Sequence, residues 1–232
     1  MGRHWQKFMK RFHPEGIPWP ASVLYNALSN INIFHQHYEL VANDIARYGN
    51  VRRLLDIGTG PGHLFLHLRK LLPEAELFGI DISPAMITQA RRNVKSDGNT
   101  RTVKLQIAGA NALPFTNGVF DCVVSTGSLH HWKDTVGALS EVYRILKPGG
   151  VALLYDLIRN MPKQLRKNVR IRFGGFRLTL LWLHSFEEPF LNIEEMEALG
   201  RKTDFTVEET KFIGALCCLV LKKPVAHPKT WI

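Results

Sequence analysis

Val51-Arg52-Arg53-Leu54-Leu55-Asp56-Ile57-Gly58-Thr59-Gly60-Pro61-Gly62 is the stretch that decides the fold. Leu54, Leu55 and Ile57 read as a buried parallel strand. Gly58, Gly60 and Gly62 then let the backbone turn tightly and approach a ligand with no Cβ in the way. His63 to Leu72 follows with apolar residues at helical period and stops before Pro73. A strand, a glycine loop and a helix N-terminus present backbone N–H groups and a positive dipole end. A turn alone needs fewer glycines, so the pattern points to a nucleotide-type ligand. A dinucleotide fingerprint would read G-x-G-x-x-G, whereas here the spacing is G-x-G-x-G, with His63 after the last glycine.

The 232 residues leave room for one α/β domain plus a cap or lid. A hydrophobic content of 45% fits a globular protein with a sizeable core. No apolar run has the length of a membrane span, and the N-terminus lacks a signal-peptide core. Cys122, Cys217 and Cys218 all lie inside apolar runs and read as core residues of a reducing compartment. A cytoplasmic location is the expectation. No Cys, His and acid set has ligand spacing, so no metal is expected. The net charge of +10 is uneven. Residues 157–186 hold no acid but carry Arg159, Lys163, Arg166, Lys167, Arg170, Arg172 and Arg177.

Residues 1–13 interleave Trp5, Phe8, Met9 and Phe12 with Arg and Lys, a basic amphipathic helix. Pro14, Pro18 and Pro20 mark a linker, and Val23 to Tyr48 is helical in pattern. Ala75 to Ile80 is the second strand, followed by Asp81-Ile82-Ser83-Pro84, where Ser83 suits an N-cap and Pro84 the first helical position. Asp81 thus stands at a strand's carboxyl end, where a carboxylate can accept both ribose hydroxyls. Val103 to Ala108 is the third strand, and Gly109-Ala110-Asn111-Ala112-Leu113-Pro114-Phe115 the loop after it. The fourth strand, Val119 to Ser125, runs into Thr126-Gly127-Ser128-Leu129-His130-His131-Trp132. His130 and His131 are candidate proton acceptors for a substrate. A helix from Asp134 to Leu146 ends at Lys147-Pro148-Gly149-Gly150, and Val151 to Tyr155 is the fifth strand. Asn192-Ile193-Glu194-Glu195 is a capping box that opens a helix ending near Gly200. Phe205 to Phe212 and Ala215 to Leu221 read as an antiparallel terminal hairpin.

Leu-Leu-Asp-Ile with G-x-G-x-G resembles the first motif of class I S-adenosylmethionine (SAM) methyltransferases. Ala110 to Phe115, Phe120 to Trp132 and Glu141 to Gly150 resemble later segments of that family in the same order, so the likeness runs from about Leu54 to Asp156. It implies a doubly wound, seven-stranded, mostly parallel α/β sheet with a terminal antiparallel strand. It also implies SAM as cofactor. Gly58, Gly60 and Gly62 would shape the loop at the methionine end and Asp56 would orient the amino group. Asp81 would hold the ribose, Ile82 pack on adenine, Ala110 and Asn111 edge the ring, and Ser125 lie near the sulfonium. The family usually has Asp where this chain has Gly109, so Asn111 is the candidate replacement. Tyr25-Asn26 loosely resembles the helical entry of quinone-pathway C-methyltransferases.

The expected organisation is a helical cap over 1–50, a SAM-binding core over 51–156, a basic and apolar insertion over 157–191, and a last helix and hairpin over 192–232. The expected function is methyl transfer to a small or lipid-like acceptor, with peripheral membrane contact through 157–186. Nucleic acid is not favoured, since no recognition motif accompanies the charge. The rival is a SAM-binding, non-catalytic partner subunit, and Gly109 is the residue that favours it. An NAD-dependent enzyme is disfavoured by the glycine spacing.

Overall fold

The structure, a computed structural model, describes residues 32–96, 103–173 and 190–225. Helix α1 (Asn32–Ala46) leads into β1 (Arg53–Ile57), α2 (His63–Leu71), β2 (Glu76–Asp81), α3 (Pro84–Ser96) and β3 (Val103–Ile107). β4 (Phe120–Thr126), a 3-10 turn (Leu129–His131), α4 (Thr135–Ile145) and β5 (Leu146–Asp156) follow. The chain continues through α5 (Lys163–Phe173), α6 (Ile193–Gly200), β6 (Thr206–Ile213) and β7 (Leu216–Lys222). The expected helices over 1–13 and 23–31, the linker between them, and 174–189 of the expected insertion lie outside the described residues.

One seven-stranded sheet has the order β3-β2-β1-β4-β5-β7-β6. β7 is antiparallel to both neighbours, and the other strand pairs are parallel. The fold is therefore the doubly wound seven-stranded sheet that the glycine motif implied. Side chains alternate across a strand, and this splits the core in two. Leu55, Val123, Ala152, Leu154 and Leu219 face Ala138, Leu139 and Val142 of α4 and Met196 of α6. Leu54, Cys122, Val124, Leu153 and Cys218 face Val41 and Ile45 of α1 and Leu64, Phe65 and Leu68 of α2. All three cysteines are buried and free.

The local signals hold at several helix ends. Ser83 Oγ accepts the Met86 N–H at 3.4 Å ahead of α3. Asp134 caps α4 by accepting the Gly137 N–H at 2.9 Å. Asn192 and Glu195 form the reciprocal capping box of α6, at 2.7 and 3.0 Å. Lys147-Pro148-Gly149-Gly150 differs from expectation. It belongs to β5 itself, as a jog in the ladder: Leu146 pairs with Phe120, while Val151 pairs with Cys122. Hydrogen bonds between Lys223 and both Gly149 and Gly150, each 2.9 Å, hold the jog against the end of β7, so the ladder is not interrupted.

One buried polar cluster ties α1 to the sheet. Tyr155 of β5 donates its hydroxyl to Asp44 Oδ2 at 2.8 Å, and Lys211 of β6 donates to Asp44 Oδ1 at 2.8 Å and to Tyr48 Oη at 3.0 Å.

Candidate cofactor and acceptor site

Open parallel sheets leave a crevice at the carboxyl ends of their strands, where the strand order reverses. Here the reversal lies between β1 and β4, and β1 ends in Asp56 and the glycine loop. Gly58, Gly60 and Gly62 all take positive φ, at 72°, 53° and 76°, a region that L side chains rarely enter. The loop is stitched to the neighbouring strand. Gly58 and Thr59 both donate to Ile80 O at 2.9 Å, and Gly60 donates to Asp81 Oδ2 at 2.9 Å. On its other side Ser128 Oγ donates to Ile57 O at 3.0 Å and fills the space where a side chain on Gly58 would go.

α2 begins at His63 with Gly62 at its cap, no acid in its first turn and no side-chain cap. Its positive end is thus left for an anionic group of a ligand. Asp56 stands at the root of this loop, 2% exposed. Its Oδ1 has no hydrogen-bond partner, nor does Thr59 Oγ1 nearby in the loop. Burial raises the Asp56 carboxyl to about 7; the Thr59 side chain opposes the shift and the Asp81 charge adds to it. A buried carboxylate oxygen without a donor is costly, and a cationic amino group would satisfy it.

Asp81 is bound differently. Its Oδ1 accepts the Ser83 N–H at 2.8 Å and its Oδ2 the Gly60 N–H. Burial raises its pKa, against those two backbone donors. A carboxylate has about four acceptor positions, so capacity for ligand hydroxyls remains. Ile82, beside it, is 39% exposed at the crevice edge, and a Cβ on Gly109 would sit 3.7 Å from its Cδ1. Ile82, Gly109 and the half-buried Ala110 therefore form one apolar wall, of a kind that suits a flat ring. Asn111 is exposed, and its Nδ2 donates to Asp134 O at 2.6 Å, tying this loop to the start of α4. One of its two amide N–H donors is thereby used, and its oxygen stays available to a ligand.

Ser125 is fully buried and shares a 2.7 Å hydrogen bond with Ser128, so it supports the loop after β4. His130 follows on the 3-10 turn, 5% exposed, with Nδ1 2.8 Å from Asp156 Oδ2. The His131 ring lies tilted against it, with centroids 3.9 Å apart.

Direct contacts thus join the glycine loop to Asp81 through Gly60, Ile82 to Gly109, and the loop after β4 to β1 through Ser128, which Ser125 holds in turn. Sequence reasoning missed Thr59, Ser128 and Asp156. Asp156 did carry a signal, as an acid closing an apolar strand just as Asp56 and Asp81 do. His63 was also missed. It is 2% exposed with neither ring nitrogen bonded, and it faces His35 at 5.4 Å. Burial, then the His35 and His67 charges, lowers it to about 4, so it is neutral near pH 7.

Comparison with known proteins fits this geometry. A methyltransferase domain family matches residues 55–154. The demethylmenaquinone methyltransferase of Thermus thermophilus is 40% identical over 109 residues, covering 47% of this chain and 49% of the relative. That of Symbiobacterium thermophilum is 35% identical, over 60% of this chain and 53% of its own length. That of Lactococcus lactis is 29% identical, over 80% and 79% respectively. The chain thus spans about half the length of the first two relatives. Among solved structures, a SAM-dependent methyltransferase from Aquifex aeolicus superposes with a TM-score of 0.66 at 15% identity, covering 87% of this chain and 98% of that one. The [4+2]-cyclase SpnF superposes at 0.65 and 17% identity, covering 81% of each. Those two likenesses concern the fold, and a cyclase among them shows why chemistry must be argued from the site.

Proposed function

We propose that residues 55–154, which match a methyltransferase domain family, form a class I, SAM-dependent methyltransferase domain, and that the protein methylates a small, lipid-like acceptor of quinone type. The observation that carries the reading is the orphaned, buried Asp56 Oδ1 at the root of the glycine loop. When bound, SAM supplies an electrophilic methyl group on a sulfonium. Asp56 would take the amino group, and the N–H groups of the first turn of α2 would take the carboxylate, since the loop amides are already bonded to Ile80, Asp81 and Thr59. Asp81 would accept the ribose hydroxyls, and Ile82 with Ala110 would hold the adenine. Ser125 fixes the loop after β4 through Ser128. In-line transfer then needs chiefly alignment and exclusion of water.

The quinone-type acceptor is supported by the names of the relatives and by the character of the chain beyond β5. The division into cap, core, insertion and C-terminal completion belongs to the same proposal. On α5, Lys163, Lys167 and Arg170 share one face at i, i+4 and i+7 spacing. Leu165 and Val169 turn the other way, toward Ala215 and Leu40. Ile171 is 75% exposed. This cationic helix suits contact with an anionic bilayer that stores such an acceptor. Among the described residues no helix is long and apolar enough to cross a membrane.

The test is calorimetry with SAM, followed by transfer of label from methyl-labelled SAM into a dithionite-reduced lipid extract. Binding with labelled quinone product is the expected result. Binding without S-adenosylhomocysteine formation in any extract would favour the second reading, a non-catalytic SAM-binding subunit, to which Gly109 lends its only support.

A further inference from the structure

Asp156 closes β5 and reaches back to the turn that leaves β4. Its Oδ2 accepts the His130 backbone N–H at 3.0 Å and lies 2.8 Å from Nδ1. Its Oδ1 lies 3.0 Å from Nδ1 and accepts the Leu157 N–H at 2.8 Å. The two side chains are 7% and 4% exposed. An ionised carboxylate only accepts hydrogen bonds, so the imidazole proton is pinned at Nδ1. Nε2 then carries a lone pair, and it has no hydrogen-bond partner among the described residues.

The surroundings keep this arrangement intact. Phe190 walls the ring at 4.3 Å and His131 at 3.9 Å. Asp156 and His131 are the titratable groups against it. Cys217, paired with Asp156 across the ladder, stays a neutral thiol: burial, then the Asp156 and Glu197 charges, push it up to about 12. The pair stands at the carboxyl ends of β4 and β5, on the flank of β1 opposite to β2 and Asp81. It therefore borders the cofactor crevice on the side left for an acceptor.

We infer that His130, positioned by Asp156, takes the proton that the methyl acceptor gives up. The inference rests on the methyl-transfer reading. The acceptor's C–H or O–H bond breaks, and its electron pair forms the bond to the methyl carbon. The sulfonium–methyl bond breaks onto sulfur, giving neutral S-adenosylhomocysteine. The proton passes to Nε2, and the imidazolium faces the Asp156 carboxylate. His130 is the catalytic residue and Asp156 the positioning residue, an acid–imidazole pair of the kind that activates other transfers.

The test compares the full chain with D156N and H130Q, using methyl-labelled SAM and the reduced lipid extract. Label transfer at saturating SAM should fall by about 10²–10⁴-fold in both variants. SAM affinity by calorimetry should stay within about twofold, since the lost interaction is made only during transfer. Nitrogen NMR of the wild type should find the proton on Nδ1, and in D156N on Nε2. Equal transfer by both variants, or a wild-type proton on Nε2, overturns the inference and leaves methyl transfer standing. Absence of SAM binding in the wild type overturns the reading beneath it. Binding without any labelled product overturns both. Should the variants fail to fold, the wild-type tautomer still decides.

Discussion

The Gly60 amide donates to Asp81 Oδ2 at 2.9 Å, so the glycine loop after β1 and the acid at the end of β2 are one unit. A change at either deforms the other. D81A removes the acceptor for Gly60 and Ser83 together with the proposed ribose contact. Hydrogen bonds to a charged group are worth about 1.5–3 kcal/mol, so SAM affinity should fall by roughly tenfold to a hundredfold. Calorimetry checks this, and an unchanged dissociation constant would remove Asp81 from the site.

Asp56 gives a pH signature. Its carboxyl sits near 7 in the folded chain against an ordinary 3.8, so the folded state holds an extra proton between those values. Stability of the ligand-free protein should therefore fall as pH rises from about 4 to about 7. An ammonium group binds the ionised form, so SAM affinity should rise across the same window. D56N should flatten both trends, as read by denaturant titration and calorimetry. A variant with the wild-type slopes would refute the assignment.

Gly62 is held by geometry. Its φ is 76°, and an added Cβ would lie 3.1 Å from Ala90 Cβ. G62A should cost about 1–2 kcal/mol from the backbone alone. For a chain of this size that lowers Tm by roughly 2–8 °C. A thermal melt that does not shift would contradict the tight loop.

Asp44 is the anchor of α1. Burial alone would lower the Lys211 pKa, but hydrogen bonds to Asp44 and Tyr48 outweigh it and leave the ammonium above its ordinary 10.5. That contribution is present below the ordinary value and fades as pH climbs through the raised one. D44A leaves the buried Tyr155 hydroxyl without its acceptor and takes one of the partners of Lys211, which keeps Tyr48 and Glu209, and should cost on the order of 2 kcal/mol. Hydrogen exchange should quicken first in α1. Uniform exchange in variant and wild type would mean that packing alone holds the helix.

The α5 face is tested with vesicles. K163Q/K167Q/R170Q removes three cations, each worth on the order of 1 kcal/mol at an anionic surface. Sedimentation with phosphatidylglycerol vesicles at low salt should drop tenfold or more by the same reckoning, and SAM affinity should not move. Arg166 is left alone because it donates to Met161 O within its own turn. Equal sedimentation by variant and wild type would reduce the face to solvation.

Short-range pattern carried most of the fold. Leu54 to Ile57, the glycine spacing, Ser83-Pro84 and Asn192 to Glu195 each state their structure within a few residues. What the pattern lacked was partnership across the sheet. Asp44 meets Tyr155 at a separation of 111 residues and Lys211 at 167, and no local period marks either. Asp156 became meaningful only once β5 lay beside β4. That Asn111 also ties its loop to the start of α4 was not legible either, since Asp134 lies 23 residues on. The jog at Lys147 to Gly150 read as a turn because Pro and Gly signal turns, while its pairing with Lys223 lies at the other end of the chain.

β7 comes last among the described strands, yet it lies between β5 and β6. A ribosome delivers β6 before the strand that must separate it from β5. Until Leu216 to Lys222 has emerged, the β5 edge is bare and β6 has nowhere to dock. Such open edges are where nascent chains pair wrongly. Chaperone engagement during synthesis should therefore persist until the end of β7 is free, and release soon after it.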